Sequence, residues 1–171
     1  MLTSDSLFGG ELTVYQEKEG YRFSIDSILL AGLTRVKASD KVVDLGTGCG
    51  VIPLILAYRQ RGASYVGVEL QAELFELARK NIEANGLADR ITVQRMDFRE
   101  VHNHLAFESF DLLISNPPYR RVHTGRINPN RQRAIARHEL AGSAAEVFAA
   151  GKALLRTGGR LTVIYPAGRM S

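Results

Sequence analysis

Val42-Val43-Asp44-Leu45-Gly46-Thr47-Gly48-Cys49-Gly50 runs from a short β-branched segment into glycines at alternate positions. The pattern predicts a strand ending in a tight turn that lets the backbone approach a ligand closely, because glycine carries no Cβ to obstruct it. Such a turn points only to nucleotides in general. The dinucleotide fingerprint wants glycine at 51 after Gly46 and Gly48, and Val51 stands there instead. The resulting G-x-G-x-G spacing disfavours a dehydrogenase.

Outward from this turn, helices and strands alternate. Val51 to Tyr58 reads as a helix and Ser64 to Leu70 as a second strand. Leu74, Leu77, Ala78 and Ile82 share one face of the next helix, which Asn85-Gly86 stops. Ile91 to Gln94, Phe110 to Ser115 and Arg160 to Tyr165 supply three more strands. Ser143-Ala144-Ala145-Glu146 is a capping box opening a helix that is expected to end near Thr157-Gly158-Gly159. Alternation of this kind predicts an α/β fold, a parallel sheet with helices on both faces. Residues 1–40 break the pattern. There Thr13-Val14-Tyr15 and Tyr21-Arg22-Phe23 suggest a hairpin across Lys18-Glu19-Gly20, followed by a helix from Asp26 to about Arg35.

The 171 residues, 45% hydrophobic and 23% charged, suffice for one globular domain, residues 1–171, with a sizeable core. Met1-Leu2-Thr3-Ser4-Asp5 lacks the regions of a signal peptide, and no apolar run approaches a membrane span. A cytoplasmic protein with no membrane partner is the expectation. Cys49, the only cysteine, excludes an internal disulfide and any multi-cysteine zinc site. His102, His104, His123 and His138 show no ligand spacing, so no metal is expected.

The net charge of +4 hides an asymmetry: residues 1–119 sum to −4 (12 basic, 16 acidic) and residues 120–171 to +8 (10 basic, 2 acidic). Arg120, Arg121, Arg126, Arg131, Arg133 and Arg137 precede Glu139 with no acid among them. This suggests a polyanionic substrate, most simply a nucleic acid; a solvated loop is the plain alternative. A segment this long between Arg120 and His138 inside a domain is usually functional or disordered.

Asn116-Pro117-Pro118-Tyr119 follows the strand at Phe110 to Ser115, placing a rigid polar tetrapeptide at a sheet edge. Pro118 confines Pro117 to extended conformations, so the Pro117 carbonyl holds one direction beside the Asn116 side-chain oxygen. Two fixed acceptors match the two N–H bonds of a neutral amino group, and Tyr119 offers a face for a flat ring. A stiff Asn-Pro turn explains the tetrapeptide alone equally well. Glu69, near the end of the second strand, is placed to accept from ribose hydroxyls. Asp97, past the third, either borders the same crevice or caps a short helix; Asp26 likewise either closes the pocket or caps its helix. Cys49 has no base partner in the sequence and fits the turn as a small side chain.

Asp44 to Gly50, Glu69, Asp97 and Asn116-Pro117-Pro118-Tyr119, each at the end of a successive strand, together resemble the Rossmann-like S-adenosylmethionine-dependent methyltransferases. The resemblance covers nearly the whole chain. It implies that Asp44, Gly46, Thr47, Gly48 and Gly50 hold the methionine and ribose part of S-adenosylmethionine, with Asn116 beside it. It further implies that Glu69 binds the ribose diol with Leu70 adjoining, that Asp97 accepts from the adenine amino group, and that Phe98 covers that adenine. The catalytic residues implied are Asn116, Pro117, Pro118 and Tyr119, with Tyr119 stacking on a base taken out of its stack.

Gly20-Tyr21-Arg22-Phe23-Ser24-Ile25-Asp26-Ser27, with Ala136-Arg137-His138-Glu139, is similar to the bacterial family that methylates N6 of an adenine beside the anticodon of valine tRNA. This implies an RNA adenine N6-methyltransferase with tRNA as partner, and Arg120, Arg121, Arg137 and His138 as substrate contacts. Arg137-His138 ordering the loop is the other reading. Related branches with the same tetrapeptide act on DNA adenine, ribosomal guanine N2 or a release-factor glutamine amide, and a non-catalytic cofactor- or RNA-binding module is a further alternative. The family's sheet usually has seven strands. Strands six and seven have no residues here, so the sheet is expected to stop at a fifth strand with an exposed edge, free to pair with another chain.

Overall fold

The computed structural model describes residues 1–19, 22–59, 63–117 and 144–165. Strand β1 (Leu2–Leu7) and strand β2 (Leu12–Glu17) form an antiparallel hairpin, followed by helix α1 (Ile25–Leu33). Next come β3 (Lys41–Leu45), α2 (Val51–Arg59), β4 (Ser64–Glu69), α3 (Ala72–Ala84) and β5 (Ile91–Arg95). A 3-10 helix at Phe98–Asn103 leads to β6 (Phe110–Ser115), and α4 (Ala144–Leu154) runs directly into β7 (Leu155–Val163). The sheet is parallel, with order β5-β4-β3-β6-β7. It has the Rossmann-like arrangement that the alternating pattern predicts, and among the described residues β5 and β7 are its two edges.

Successive strand residues point to opposite faces. Val42, Leu112 and Ile114 pack under α1, α2 and α3, whereas Val43, Leu45 and Leu113 meet α4 and the 3-10 helix. Helices thus cover both faces. Helix α2 lies in the centre, with Val51 through Ala57 all buried. Its sequence, Val-Ile-Pro-Leu-Ile-Leu, has β-branched residues, yet Pro53 sits in the first turn, where a backbone donor has no helical acceptor to lose.

Three expectations need correction. The strand pairing with 12–17 is Leu2–Leu7, in the register Leu2↔Glu17 to Leu7↔Leu12, and not the segment around Phe23. The turn signal is Gly9-Gly10, at φ +67 and +104, while Leu2–Leu7 has too little apolar alternation to be read as a strand. The N-cap of α1 is Ser24, so Asp26 lies in the first helical turn, where its charge favours the helix dipole, and does not cap it. Helix α4 ends at Leu154, earlier than the glycines suggested. Strand β7 instead begins at Leu155, which pairs with Phe110; a register shift, with Gly158 at φ +78, follows before pairing resumes at Arg160↔Leu112. The capping residue Ser143 lies outside the described residues.

The hairpin is docked by side chains. Asn81, with no exposed surface, accepts from Tyr15 N (2.7 Å) and donates to Tyr15 O (3.0 Å) and Cys49 O (2.9 Å). One turn later Asn85 accepts from Thr13 N (2.9 Å) and donates to Thr13 O (2.8 Å). Two asparagines at i and i+4 therefore satisfy the β2 backbone as a neighbouring strand would.

Candidate cofactor and acceptor site

Strand order reverses between β3 and β6, which lie side by side with Leu45 opposite Ser115. Open α/β sheets bind ligands at the carboxyl ends of strands at such a switch point. Both candidate motifs leave the sheet there: Gly46 follows β3 and Asn116 follows β6. Ser115 Oγ donates to Leu45 O at 2.9 Å and ties the two strand ends together.

The glycine turn depends on backbone that other residues strain to adopt. Gly46, Gly48 and Gly50 have φ of +73, +59 and +83. A Cβ on Gly50 would lie 3.3 Å from that of Ala78 in α3. The turn is pinned from β4, since Val68 O accepts from both Gly46 N and Thr47 N at 2.9 Å. Thr47 packs on Gly67, where a Cβ would come within 2.9 Å of the Thr47 methyl, and its hydroxyl donates to Asp44 Oδ2 at 2.7 Å.

Two carboxylates are buried at this turn. Glu69 accepts from Gly48 N and Gln71 N, each at 2.9 Å, joining the loops after β3 and β4. Burial pushes its carboxyl above the usual range, against the opposing effect of these backbone bonds. Burial also pushes Asp44 up to about 7, despite the Thr47 hydroxyl, and the charge of Glu69 adds to the shift. Neither has an ion-pair partner among the described residues. Asp44 Oδ1 and Gln71 Oε1 are buried with no hydrogen-bond partner. A site with spare acceptors and two acids suits a ligand rich in hydroxyls and positive charge, and repels a pyrophosphate. S-adenosylmethionine, with its sulfonium, ammonium and ribose diol, fits: each Glu69 oxygen keeps a lone pair beyond the two bonds above.

The other sequence candidates divide. Leu70 is exposed just past β4, and Phe98 is half-buried against the second core cluster. Asp97 caps the 3-10 helix, accepting from Arg99 N at 2.9 Å, and both its oxygens engage the Arg99 guanidinium. That pairing holds its carboxyl below the usual range. Asn116 is half-buried, and its Nδ2 donates to Ser27 Oγ in α1 at 2.9 Å; Pro117 is buried. Pro118, Tyr119, Arg120, Arg121, Arg137 and His138 lie outside the described residues. Cys49 is buried and its thiol is pushed up to about 12 by burial, leaving it inert as a nucleophile near neutrality.

Sequence reasoning gave no role to Ser27, Gln71 or Asn81. Asn81 could have been found, because it falls on the apolar stripe of Leu74, Leu77, Ala78 and Ile82, where an amide must find partners. Ser27 and Gln71 carried no such signal.

The family model described as "Methyltransferase small domain" matches residues 21–168. The chain belongs to that family. Relatives of this methyltransferase small domain include a protein of Bacteroides fragilis (strain YCH46), 33% identical over 91% of this chain and 65% of its own length. Another, from Phocaeicola vulgatus, is 36% identical over 92% of this chain and 64% of its own. Both are named tRNA1(Val) (adenine(37)-N6)-methyltransferase. The chain thus spans about two-thirds of the length of these relatives, 64–65%. Among solved structures, a "predicted O-methyltransferase" of Agrobacterium tumefaciens superposes with a TM-score of 0.63 at 25% identity, covering 83% of this chain and 62% of that one. A methyltransferase of Thiobacillus denitrificans in complex with S-adenosyl-L-homocysteine shares the fold at TM-score 0.57 and 20% identity, over 82% of this chain and 48% of that one.

Proposed function

We propose that this chain is the methyl-transfer domain of a cytoplasmic, S-adenosylmethionine-dependent methyltransferase acting on the exocyclic N6 amine of an adenine in tRNA. The observation that carries the reading is the acceptor-only character of the site: Asp44 Oδ1 without a partner beside buried Glu69, at the same sheet edge as Asn116. The adenine and the tRNA are supported by the names of the relatives and by the arginines from Arg120 to Arg137. Among the described residues no helix is long and apolar enough to cross a membrane.

When bound, S-adenosylmethionine supplies an electrophilic sulfonium methyl group. Gly46 to Gly50 and Glu69 hold the ligand, with Glu69 accepting from the ribose hydroxyls and Asp44 facing the cationic end. Asn116 Oδ1 and the Pro117 carbonyl accept the two protons of the target amine. An aromatic amine is a poor nucleophile because its lone pair is delocalised into the ring, and acceptors that draw both protons off-plane localise that pair toward the methyl. The C–N bond would form as the methyl C–S bond breaks, leaving the neutral thioether, and the extra proton on nitrogen would pass to water only afterwards, so alignment matters more than a tuned base.

The test is methyl incorporation from labelled S-adenosylmethionine into tRNA, ribosomal RNA, DNA and release factor, using protein that contains the whole chain. N6-methyladenosine in tRNA is the expected product. Label in protein alone would move the reading to a glutamine amide, and absence of S-adenosylmethionine binding by calorimetry would overturn it.

A further inference from the structure

Among the described residues two buried side-chain atoms have no hydrogen-bond partner, Asp44 Oδ1 and Gln71 Oε1. Asp44 belongs to the proposed cofactor site; Gln71 has no assigned part in it. A buried acceptor without a donor is costly, so native proteins keep few of them and each needs a reason. Helix capping is not the reason here. Gln71 stands at the N-cap of α3, yet its side chain makes no capping bond.

We infer that Gln71 is a specificity-determining residue for the cofactor, its side-chain oxygen accepting from the 6-amino group of the adenine ring. This rests on the S-adenosylmethionine reading above. On that reading Glu69 accepts from the ribose hydroxyls, and the base is bonded directly to that ribose. With the methionine part at the glycine turn after β3, the base lies on the other side of Glu69, where the loops after β4 and β5 carry Gln71 and Asp97. The two loops are joined, since Met96 N donates to Glu69 O at 3.1 Å.

Asp97 is already occupied. Its Oδ1 accepts from Arg99 N and Arg99 Nε, each at 2.9 Å, and its Oδ2 from the same Nε at 2.9 Å and from Nη2. Those bonds fill the lone-pair sites of a carboxylate. Gln71, only 9% exposed, holds instead an oxygen with no donor. The adenine contact that the resemblance gives to Asp97 thus falls to Gln71. A glutamine amide suits it, because its oxygen takes an N–H of the amino group while its NH2 end can donate to a ring nitrogen. The backbone around it is fixed: Gln71 N donates to Glu69 Oε1 and Gln71 O accepts from Phe75 N, each at 2.9 Å. An oxygen stripped of water before the ligand arrives gains more from the bond than one that must first release water.

The experiment is a cycle read by calorimetry. S-adenosylhomocysteine is compared with the same thioether built on purine riboside, which lacks the 6-amino group, in the wild-type chain, Gln71→Met and Asp97→Ala. Methionine keeps the length of the side chain and removes the amide oxygen. In the wild type, loss of the amino group is expected to weaken binding about tenfold or more. In Gln71→Met the two ligands should bind within about twofold of each other, whereas Asp97→Ala should keep the wild-type difference. The 2′-deoxy and 3′-deoxy forms of S-adenosylhomocysteine should lose equally in the wild type and in Gln71→Met, since those hydroxyls meet Glu69. An amino-group effect that persists in Gln71→Met or vanishes in Asp97→Ala would overturn the inference, as would coupling of Gln71 to a ribose hydroxyl. Should Gln71→Met not fold, the NMR resonances of the Gln71 side-chain NH2 in the wild type decide. They should move further with S-adenosylhomocysteine than with the purine analogue, and equal shifts would overturn the assignment. A wild-type chain that binds S-adenosylhomocysteine with no coupling to Gln71 removes this inference alone; one that binds it and methylates no adenine removes the substrate reading alone; one that does not bind it removes both.

Discussion

The two sides of the switch point are neighbours in space and are built differently. The candidate cofactor side lies within residues 44–71, whose described residues are mostly buried, and its bonds stay inside that stretch: Thr47 to Asp44, Gln71 to Glu69 and, 21 residues apart, Gly48 to Glu69. The acceptor side is a half-buried Asn116 at the end of β6, bonded to Ser27 from the far end of the chain. On the proposed reading, the cofactor would be held mainly within one βαβ unit, whereas the acceptor side would depend on a tertiary contact. Damage to one side should therefore separate cleanly from damage to the other.

The largest separation is expected from Asn116→Ala. It should abolish methyl transfer, about 10³-fold or more if both protons of the amine need acceptors, and leave S-adenosylmethionine affinity unchanged by calorimetry. Equal loss of both would break the comparison. Glu69→Ala should do the reverse, lowering cofactor affinity about 10- to 100-fold through lost charge-assisted bonds, with kcat at saturating cofactor far less affected.

Asn81→Ala tests the brace beneath the cofactor turn. It strips partners from Tyr15 and Cys49 in a fully buried position, and should cost about 1–3 kcal/mol in denaturant unfolding. Cofactor affinity should fall with it, because the same amide holds Cys49 O.

The smallest effect expected is a pH dependence. Burial pushes Asp44 up from its ordinary 3.8 to about 7, so the native protein holds this proton more tightly than the unfolded chain. The contribution of Asp44 to stability without ligand should therefore fall as pH rises from about 4 to about 7. A cationic ligand favours the carboxylate and expels the proton. Cofactor affinity should then rise with pH by at most about tenfold per unit below 7 and flatten above it. Asp44→Asn should remove that slope, measured by calorimetry at several pH values; an identical slope in the variant would exclude Asp44 as its source.

Much of the cofactor side was legible because its physics is local. Glycines at 46, 48 and 50 announce positive φ, and Glu69 ends a strand that the residue pattern already marks. Asp97 was legible only as a pair of alternatives, and the bond to Arg99 N brings out the capping one. The hairpin was misread because Leu2–Leu7 shows weak alternation, and pairing to β2 and docking on Asn81 and Asn85 make it a strand.

By itself the sequence determined the alternation of strands and helices, the glycine turn, the acids beside it and the polar end of β6. Each follows from short-range rules: side-chain periodicity, the missing Cβ of glycine, the fixed φ of proline. Only the tertiary structure decided that β3 and β6 are neighbours, that Asp44 keeps an acceptor without a partner, and that Ser27 engages the Asn116 amide. Those facts depend on burial and on bonds between residues up to 89 positions apart, which local patterns do not encode.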